Sequence, residues 1–168
     1  MSKVDVHAFM AIDPGGTTGV AAGYVATHPT RKKTLETMQF HKALEVNGDW
    51  LSQAKQLANL MDRFVMNANV EKRLPFSNIH ISAEDFVLRR RQEGGATGNL
   101  TSVWVIAGAV ALFNNPNIEI RWQQPSAAKT LATDQRLKEW DLWAVGSAHC
   151  RDANRHLCLH IDHVLQTL

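Results

Sequence analysis

Three strand-like segments in succession, then helices and strands in alternation, restrict most strongly the folds open to this chain. Residues 8–13 form a short apolar run that ends at Asp13, and Pro14-Gly15-Gly16 turns the chain into a second run over 18–26. Gly15 and Gly16 can supply the positive φ angles of a tight antiparallel hairpin. His28-Pro29-Thr30 and the basic triplet Arg31-Lys32-Lys33 mark the next turn, and residues 34–43 alternate as a third strand. Beyond Asn47-Gly48-Asp49, Leu51, Ala54, Leu57, Ala58, Met61, Phe64, Val65 and Ala68 recur at three- and four-residue spacing. That spacing predicts one apolar stripe on a helix of about 20 residues.

Pro75 stops that helix, and residues 78–84 predict a fourth strand in the centre of the sheet. The polar, basic, glycine-rich stretch that follows reads as a loop. Residues 100–113 are apolar enough for a helix buried in the core or at a subunit interface. Asn114-Asn115-Pro116-Asn117 breaks it. A fifth strand over 118–123 and a charged helical segment over 126–142 follow. The last helix runs from Ser147 to about residue 166, with Cys150, Ala153, Leu157, Ile161, Val164 and Leu168 on its packed face. A meander followed by such alternation predicts an α/β fold. Its mixed five-stranded sheet has a three-strand antiparallel meander plus two parallel strands, with helices on both faces.

The length, 168 residues, suits one domain over 1–168, and 45% hydrophobic residues suffice for a core. No apolar run approaches the roughly 20 residues that cross a bilayer. The segment before Asp13 lacks the shape of a signal peptide. The expectation is a soluble cytoplasmic protein with no membrane partner. Cys150 and Cys158 lie on one predicted helix, about 12 Å apart along its axis, too far for a disulfide. Net charge is +2, which permits a nucleic-acid partner without requiring one. Arg31-Lys32-Lys33 and Arg89-Arg90-Arg91 are compact clusters of the kind that meet phosphate, or simply solvated loop charges.

Four potential ligands sit at element ends that this topology brings together. Asp13 closes the first strand and Glu84 the fourth, which are expected to be parallel neighbours. Asp152 lies in the first turns of the last helix, with His149 three residues earlier on the same face. Carboxylates gathered within several ångströms repel one another and are costly to desolvate, unless a divalent cation sits among them. Oxygen ligands with one imidazole suit Mg²⁺ or Mn²⁺, and two such ions roughly 4 Å apart clamp a phosphodiester. Gly15 and Gly16 would let a phosphate backbone approach, and Thr17 and Thr18 add hydroxyls. Equally, all four only shape the turn. Arg89, Arg90 and Arg91 leave the strand end at Glu84 and are read as phosphate contacts.

The residues "IDPGGTTGVA" (12–21), "ISAEDF" (81–86), "QPSAAK" (124–129) and "SAHCRDA" (147–153) resemble, in order and over nearly the whole chain, the RuvC-like Holliday junction resolvases of the ribonuclease H-like superfamily. The Gly-Gly-Thr-Thr form is similar to phage-type or otherwise divergent members. The resemblance implies a homodimeric, metal-dependent endonuclease that cuts four-way junctions, with forks and flaps as further branched substrates. It implies Asp13, Glu84, His149 and Asp152 as the catalytic, metal-binding set for two Mg²⁺, with Mn²⁺ substituting. It also implies DNA contacts by Lys129 and, more loosely, Lys138, and places Phe86 near the junction centre, where it stacks on DNA or, equally, packs in the core. The apolar helix 100–113 could supply part of a dimer interface.

Other residues have plainer readings. Asp85 points to the opposite face from Glu84 and is read as structural. His156 shares a face with Asp152, from which it could reach the site edge or DNA, but is read as solvated or packed; His160 and His163 are read as surface residues. Trp140 and Trp143 either stack on bases or pack under the last helix. Three other functions compete: a ribonuclease H-type or RNA-processing nuclease, an inactive DNA-binding module, and a phosphate binder like the actin-like ATPases and sugar kinases. "DPGGTTG" resembles the phosphate turn of that last group, but those proteins need two such domains. The basic cluster supplies a test. Replacing Arg89, Arg90 and Arg91 together with Gln should weaken junction binding and lower the slope of log affinity against log salt by about 3. An unchanged slope in a salt titration would remove the cluster from the DNA interface.

Overall fold

The computed structural model describes residues 4–27, 38–85 and 100–168. Phe86, Arg89, Arg90 and Arg91, like the triplet at 31–33, lie outside the described residues. Five strands, β1 (Asp5–Asp13), β2 (Thr18–Thr27), β3 (Met38–Val46), β4 (Ile79–Glu84) and β5 (Ile120–Gln123), form one sheet. Their order is β3-β2-β1-β4-β5. β1 with β2 and β2 with β3 are antiparallel, and β1 with β4 and β4 with β5 are parallel. The meander plus two parallel strands is therefore as the sequence predicts, although the central strand is β1, with β4 beside it. The third strand runs on to Val46, past the predicted end at residue 43.

The helices are α1 (Trp50–Met66), α2 (Thr101–Phe113), α3 (Pro125–Leu131), α4 (Asp134–Glu139) and α5 (Ala148–Thr167). Strand alternation sorts the core into two halves. Ala8, Met10, Ile12, Ile79, Ile81 and Ala83 face one way and pack on α1 and α2 through Leu57, Met61, Val105 and Ala109. Phe9, Ala11, Ala21 and Val25 face the other way and pack on α5 through Ala153, Leu157 and Ile161. Leu168, predicted on that stripe, is exposed instead. Each fully buried Leu or Ile among these contributes about 2 kcal/mol.

α1 is capped by Asp49, which accepts from the Ser52 N–H at 2.7 Å. It passes into a π-helical turn over Asn67–Glu71 rather than continuing as α-helix. The predicted helix over 126–142 is two short ones. α3 stops at Ala132, and Thr133 caps α4 by accepting from the Arg136 N–H. Trp140 and Trp143 pack there against Leu137, Leu142 and Cys158, the second of the two readings given them. Cys150 and Cys158 are free and buried. His160 is buried too, its ring 5.6 Å from Phe9 and 5.7 Å from His80, which corrects its expected surface placement. His163 also has a buried Nδ1. Among the described residues, no helix is long and apolar enough to cross a membrane.

The β1–β2 turn is held from α1. Gln53, fully buried, donates to the carbonyls of Gly16 and Gly48 and accepts from the Thr18 hydroxyl at 2.7 Å. Neither Gly15 nor Gly16 has positive φ; Gly48 and Gly146 are the glycines that do among the described residues. The glycine that matters sterically is Gly19. A Cβ there would lie 2.1 Å from the His149 carbonyl oxygen, so α5 reaches the sheet only because β2 has no side chain at that point. Gly19→Ala should therefore cost about 3 kcal/mol or more. Gly16→Ala, with nothing within 4 Å of the new Cβ, should stay within about 0.5 kcal/mol. Chemical denaturation of both variants checks the contrast.

Candidate active site

β1 and β4 are parallel with Ile12 opposite Ala83, so the next residues, Asp13 and Glu84, stand side by side at the carboxyl ends of adjacent strands. Ile12 and Ala83 point into the α1/α2 core, which sends Asp13 and Glu84 to the α5 face. α5 starts where Ser147 caps it: the hydroxyl accepts from the Cys150 N–H at 2.9 Å and donates to the Glu45 carboxylate on β3. The first turns of α5 then lie over the strand ends. His149 Nδ1 comes within 3.2 Å of Asp13 Oδ2. Asp152, one turn on, is close enough to Asp13 for its charge to act there.

The electrostatics follow from this crowding. Asp13 is mostly buried, and burial, then the charges of Glu84 and Asp152, push its carboxyl up from 3.8 to about 8, with Lys129 pulling weakly the other way. For Glu84, burial also pushes upward, but the hydrogen bond and charge of His156, with a hydrogen bond from Asp13, outweigh it and leave the carboxyl below its ordinary value. The two carboxyls thus share a proton that resides on Asp13. Asp152 is neutralised differently. Arg155 Nη1 contacts its Oδ1, and Lys129 Nζ lies 3.6 Å from its Oδ2. Arg155 also pairs with Asp134 and donates through Nε to the Ala132 carbonyl at 3.1 Å.

Beside Asp152 opens a cleft of about 450 Å³ lined by Lys129, Thr133, Trp143, Arg151 and Arg155. Lys138 Nζ and the Arg151 guanidinium each lie 4.7 Å from the Trp143 ring centre, at cation–π distance. Asp13, Glu84, His149 and Asp152 therefore come together, with Lys129 at their edge and Lys138 over the Trp143 indole. Gly15 lies under the His149 ring, and a Cβ there would meet the Thr17 carbonyl at 2.8 Å. The Thr17 hydroxyl donates to Asn47 at 2.9 Å, as Thr18 does to Gln53, so both are engaged by residues just past the end of β3 and on α1. Asp85 accepts from Gln124 at 2.6 Å and ties the ends of β4 and β5, a structural role.

His156 is packed, as expected, and it also reaches the edge of the site. It is 2% exposed and its Nε2 lies 2.9 Å from Glu84 Oε2. Its position four residues after Asp152 was the only signal in the sequence. Arg155 pairs with Asp152 one turn earlier on α5 and with Asp134, 21 residues away on α4; the first spacing is local to the helix, and the second has no signal in the sequence.

The donor set is oxygen-rich with one imidazole, which fits Mg²⁺ or Mn²⁺. A carboxyl raised by burial and then by its carboxylate neighbours marks a cluster short of positive charge. Among the described residues, no group of three or more His, Cys, Asp and Glu side chains is arranged so that it could hold a metal ion as it stands; Asp152 is engaged by Arg155 and Lys129.

Comparison with known proteins bears on the fold. No family model matches the chain, and no curated protein matches it by sequence. Among solved structures, Thermus thermophilus RuvC superposes with a TM-score of 0.62 at 11% identity, covering 95% of this chain and 96% of that one. Thermus thermophilus RuvC in complex with a Holliday junction substrate gives 0.60 at 10% identity, with the same coverage. The fold is RuvC-like. The ribonuclease H-like architecture expected from the sequence is thereby established.

The raised Asp13 carboxyl has a measurable consequence. In the unfolded chain it loses its proton near 3.8, and in the folded, metal-free protein near 8. Its contribution to stability is therefore full below pH 3.8 and is lost as pH rises through 8. In buffer with chelator at pH 8, Asp13→Asn should melt about 5 °C or more above the unsubstituted protein, and the gap should close near pH 4. Thermal melts across pH check both.

Proposed function

We propose that the chain is a structure-selective DNA endonuclease that hydrolyses phosphodiesters of branched DNA, four-way junctions foremost, with two divalent ions. The observation that carries this reading is the meeting of Asp13, Glu84, Asp152 and His149 at the ends of two parallel strands. The RuvC-like fold supports it, as does the Holliday junction substrate bound by one structural neighbour, Thermus thermophilus RuvC.

Asp13, Glu84, His149 and Asp152 would hold the Mg²⁺ ions, or Mn²⁺ in their place. Such ions, when bound, activate a water and stabilise the departing oxygen. The chain's own groups do the rest. Lys129, whose side chain is 57% exposed, takes a phosphate oxygen beside Asp152. Gly16, where even a Cβ would meet nothing within 4 Å, leaves the approach to Asp13 uncrowded for the strand being cut. Gly15, Thr17 and Lys138 border the same path, and Phe86, Arg89, Arg90 and Arg91, which follow β4 in the sequence, would add DNA contacts. His149 holds Asp13 in place through Nδ1. The committed hydroxyls of Thr17 and Thr18 speak against the kinase-like phosphate turn.

Two copies would serve two opposed strands of a junction. α2 presents Trp104 and Leu112, and α1 presents Trp50 and Leu51, as exposed apolar side chains; Trp50 and Trp104 touch edge to face at 5.9 Å. This face is suited to a homodimer.

The test is cleavage of four-way, fork, flap and RNA–DNA hybrid substrates with Mg²⁺ or Mn²⁺. The expected result is cutting of branched DNA. Asp13→Asn should lower the rate at least about 10³-fold while junction affinity changes little. Preferential cutting of the hybrid would favour a ribonuclease H-type activity. Undiminished cutting by Asp13→Asn would refute the site.

A further inference from the structure

Glu84 is gripped from α5 by a side chain that the nuclease reading leaves without a role. His156 is 2% exposed, with Nε2 2.9 Å from Glu84 Oε2 and Nδ1 3.0 Å from the Gln123 amide. Gln123 is 4% exposed and is the register partner of Glu84 across β4 and β5. One orientation of its amide satisfies every neighbour. The nitrogen donates to His156 Nδ1 and to the His156 carbonyl, both at 3.0 Å, and the oxygen accepts from the His160 N–H at 3.2 Å. A ring nitrogen that accepts a hydrogen bond carries no proton in the neutral imidazole. The ring proton therefore sits on Nε2 and is donated to Glu84.

We propose that Gln123 and His156 form a relay that positions Glu84. Gln123 selects the Nε2–H tautomer, and His156 uses that proton to fix the Glu84 carboxylate beside Asp13. His156 is sealed between α5 and the sheet, so it acts through Glu84 and is a positioning residue. The arrangement also explains why a histidine occupies this buried position beside the apolar stripe of Ala153 and Leu157. A hydrophobic residue would fill the space but leave the carboxylate free to rotate. Partners of this kind, one step behind a metal ligand, typically change metal affinity 10- to 100-fold when removed.

The proposal rests on Glu84 being a metal ligand, and its test separates the two ideas. In the full chain labelled with ¹⁵N-histidine, without metal at pH 7.5, the His156 ring should show a proton on Nε2 and none on Nδ1. A proton on Nδ1 would overturn the relay. Mn²⁺ titration by calorimetry then compares variants whose folding is checked by circular dichroism. His156→Leu should weaken Mn²⁺ binding about tenfold or more, and His156→Gln, whose amide can donate from the place of Nε2, should recover most of it. Equal loss in both variants, or no loss in either, would overturn the relay while leaving the metal site intact. Should His156→Leu fail to fold, Gln123→Leu replaces it: both tautomers should appear and Mn²⁺ binding should weaken, and a single unchanged tautomer would count against the relay. Absence of Mn²⁺ binding by the unsubstituted protein would overturn the metal reading, and with it the purpose assigned to the relay, whatever the tautomer.

Discussion

Two carboxyl groups on neighbouring strand ends, with a third presented across them from a helix, create a charge conflict that much of the surrounding structure is arranged to relieve. Three different devices meet it. Asp13 keeps a proton well above the ordinary carboxylate range. Glu84 takes a hydrogen bond from buried His156. Asp152 sits between Arg155 and Lys129. None of these is what hydrophobic packing alone would select. Buried carboxylates are expensive, and replacing such groups with apolar ones is often neutral or stabilising. Their concentration at one point of the sheet is the physical ground for assigning chemistry to that point.

The site depends on how closely α5 can approach. Gly19 removes the side chain that would strike the His149 carbonyl, and Ser147 ties the start of α5 to Glu45 on β3. Gln53 holds the intervening turn from the other face of the sheet through Thr18, Gly16 and Gly48. The two halves of the core therefore both bear on the same few ångströms: α1 fixes the turn after Asp13, and α5 brings His149 and Asp152 to it.

What was legible in the sequence was what local pattern encodes. Period-two and period-3.6 runs located the strands and long helices, and their order implied a parallel β1–β4 pair, hence the adjacency of Asp13 and Glu84. The i, i+3 spacing placed His149 and Asp152 on one face of α5. Other features were set by contacts distant in sequence. Spacing put His156 on the Asp152 face, but only the packing of α5 on β4 shows that Glu84 lies opposite it. His160 looked like a surface residue because its type is polar; Phe9 and His80 bury it. The Pro-Gly-Gly turn suggested positive φ angles, yet Gln53 supports it without them. The break between α3 and α4 was encoded locally by the Thr133 cap, within a segment whose composition read as one helix.

The central claim is that Asp13, Glu84, His149 and Asp152 form one divalent-ion site. Its most direct measurement is the anomalous difference map of crystals soaked in Mn²⁺. The account predicts strong peaks within bonding distance of Asp13 and Glu84, with Asp152 drawn from Arg155 toward the metal. Well-ordered Mn²⁺-soaked crystals with no peak among these four side chains would contradict it.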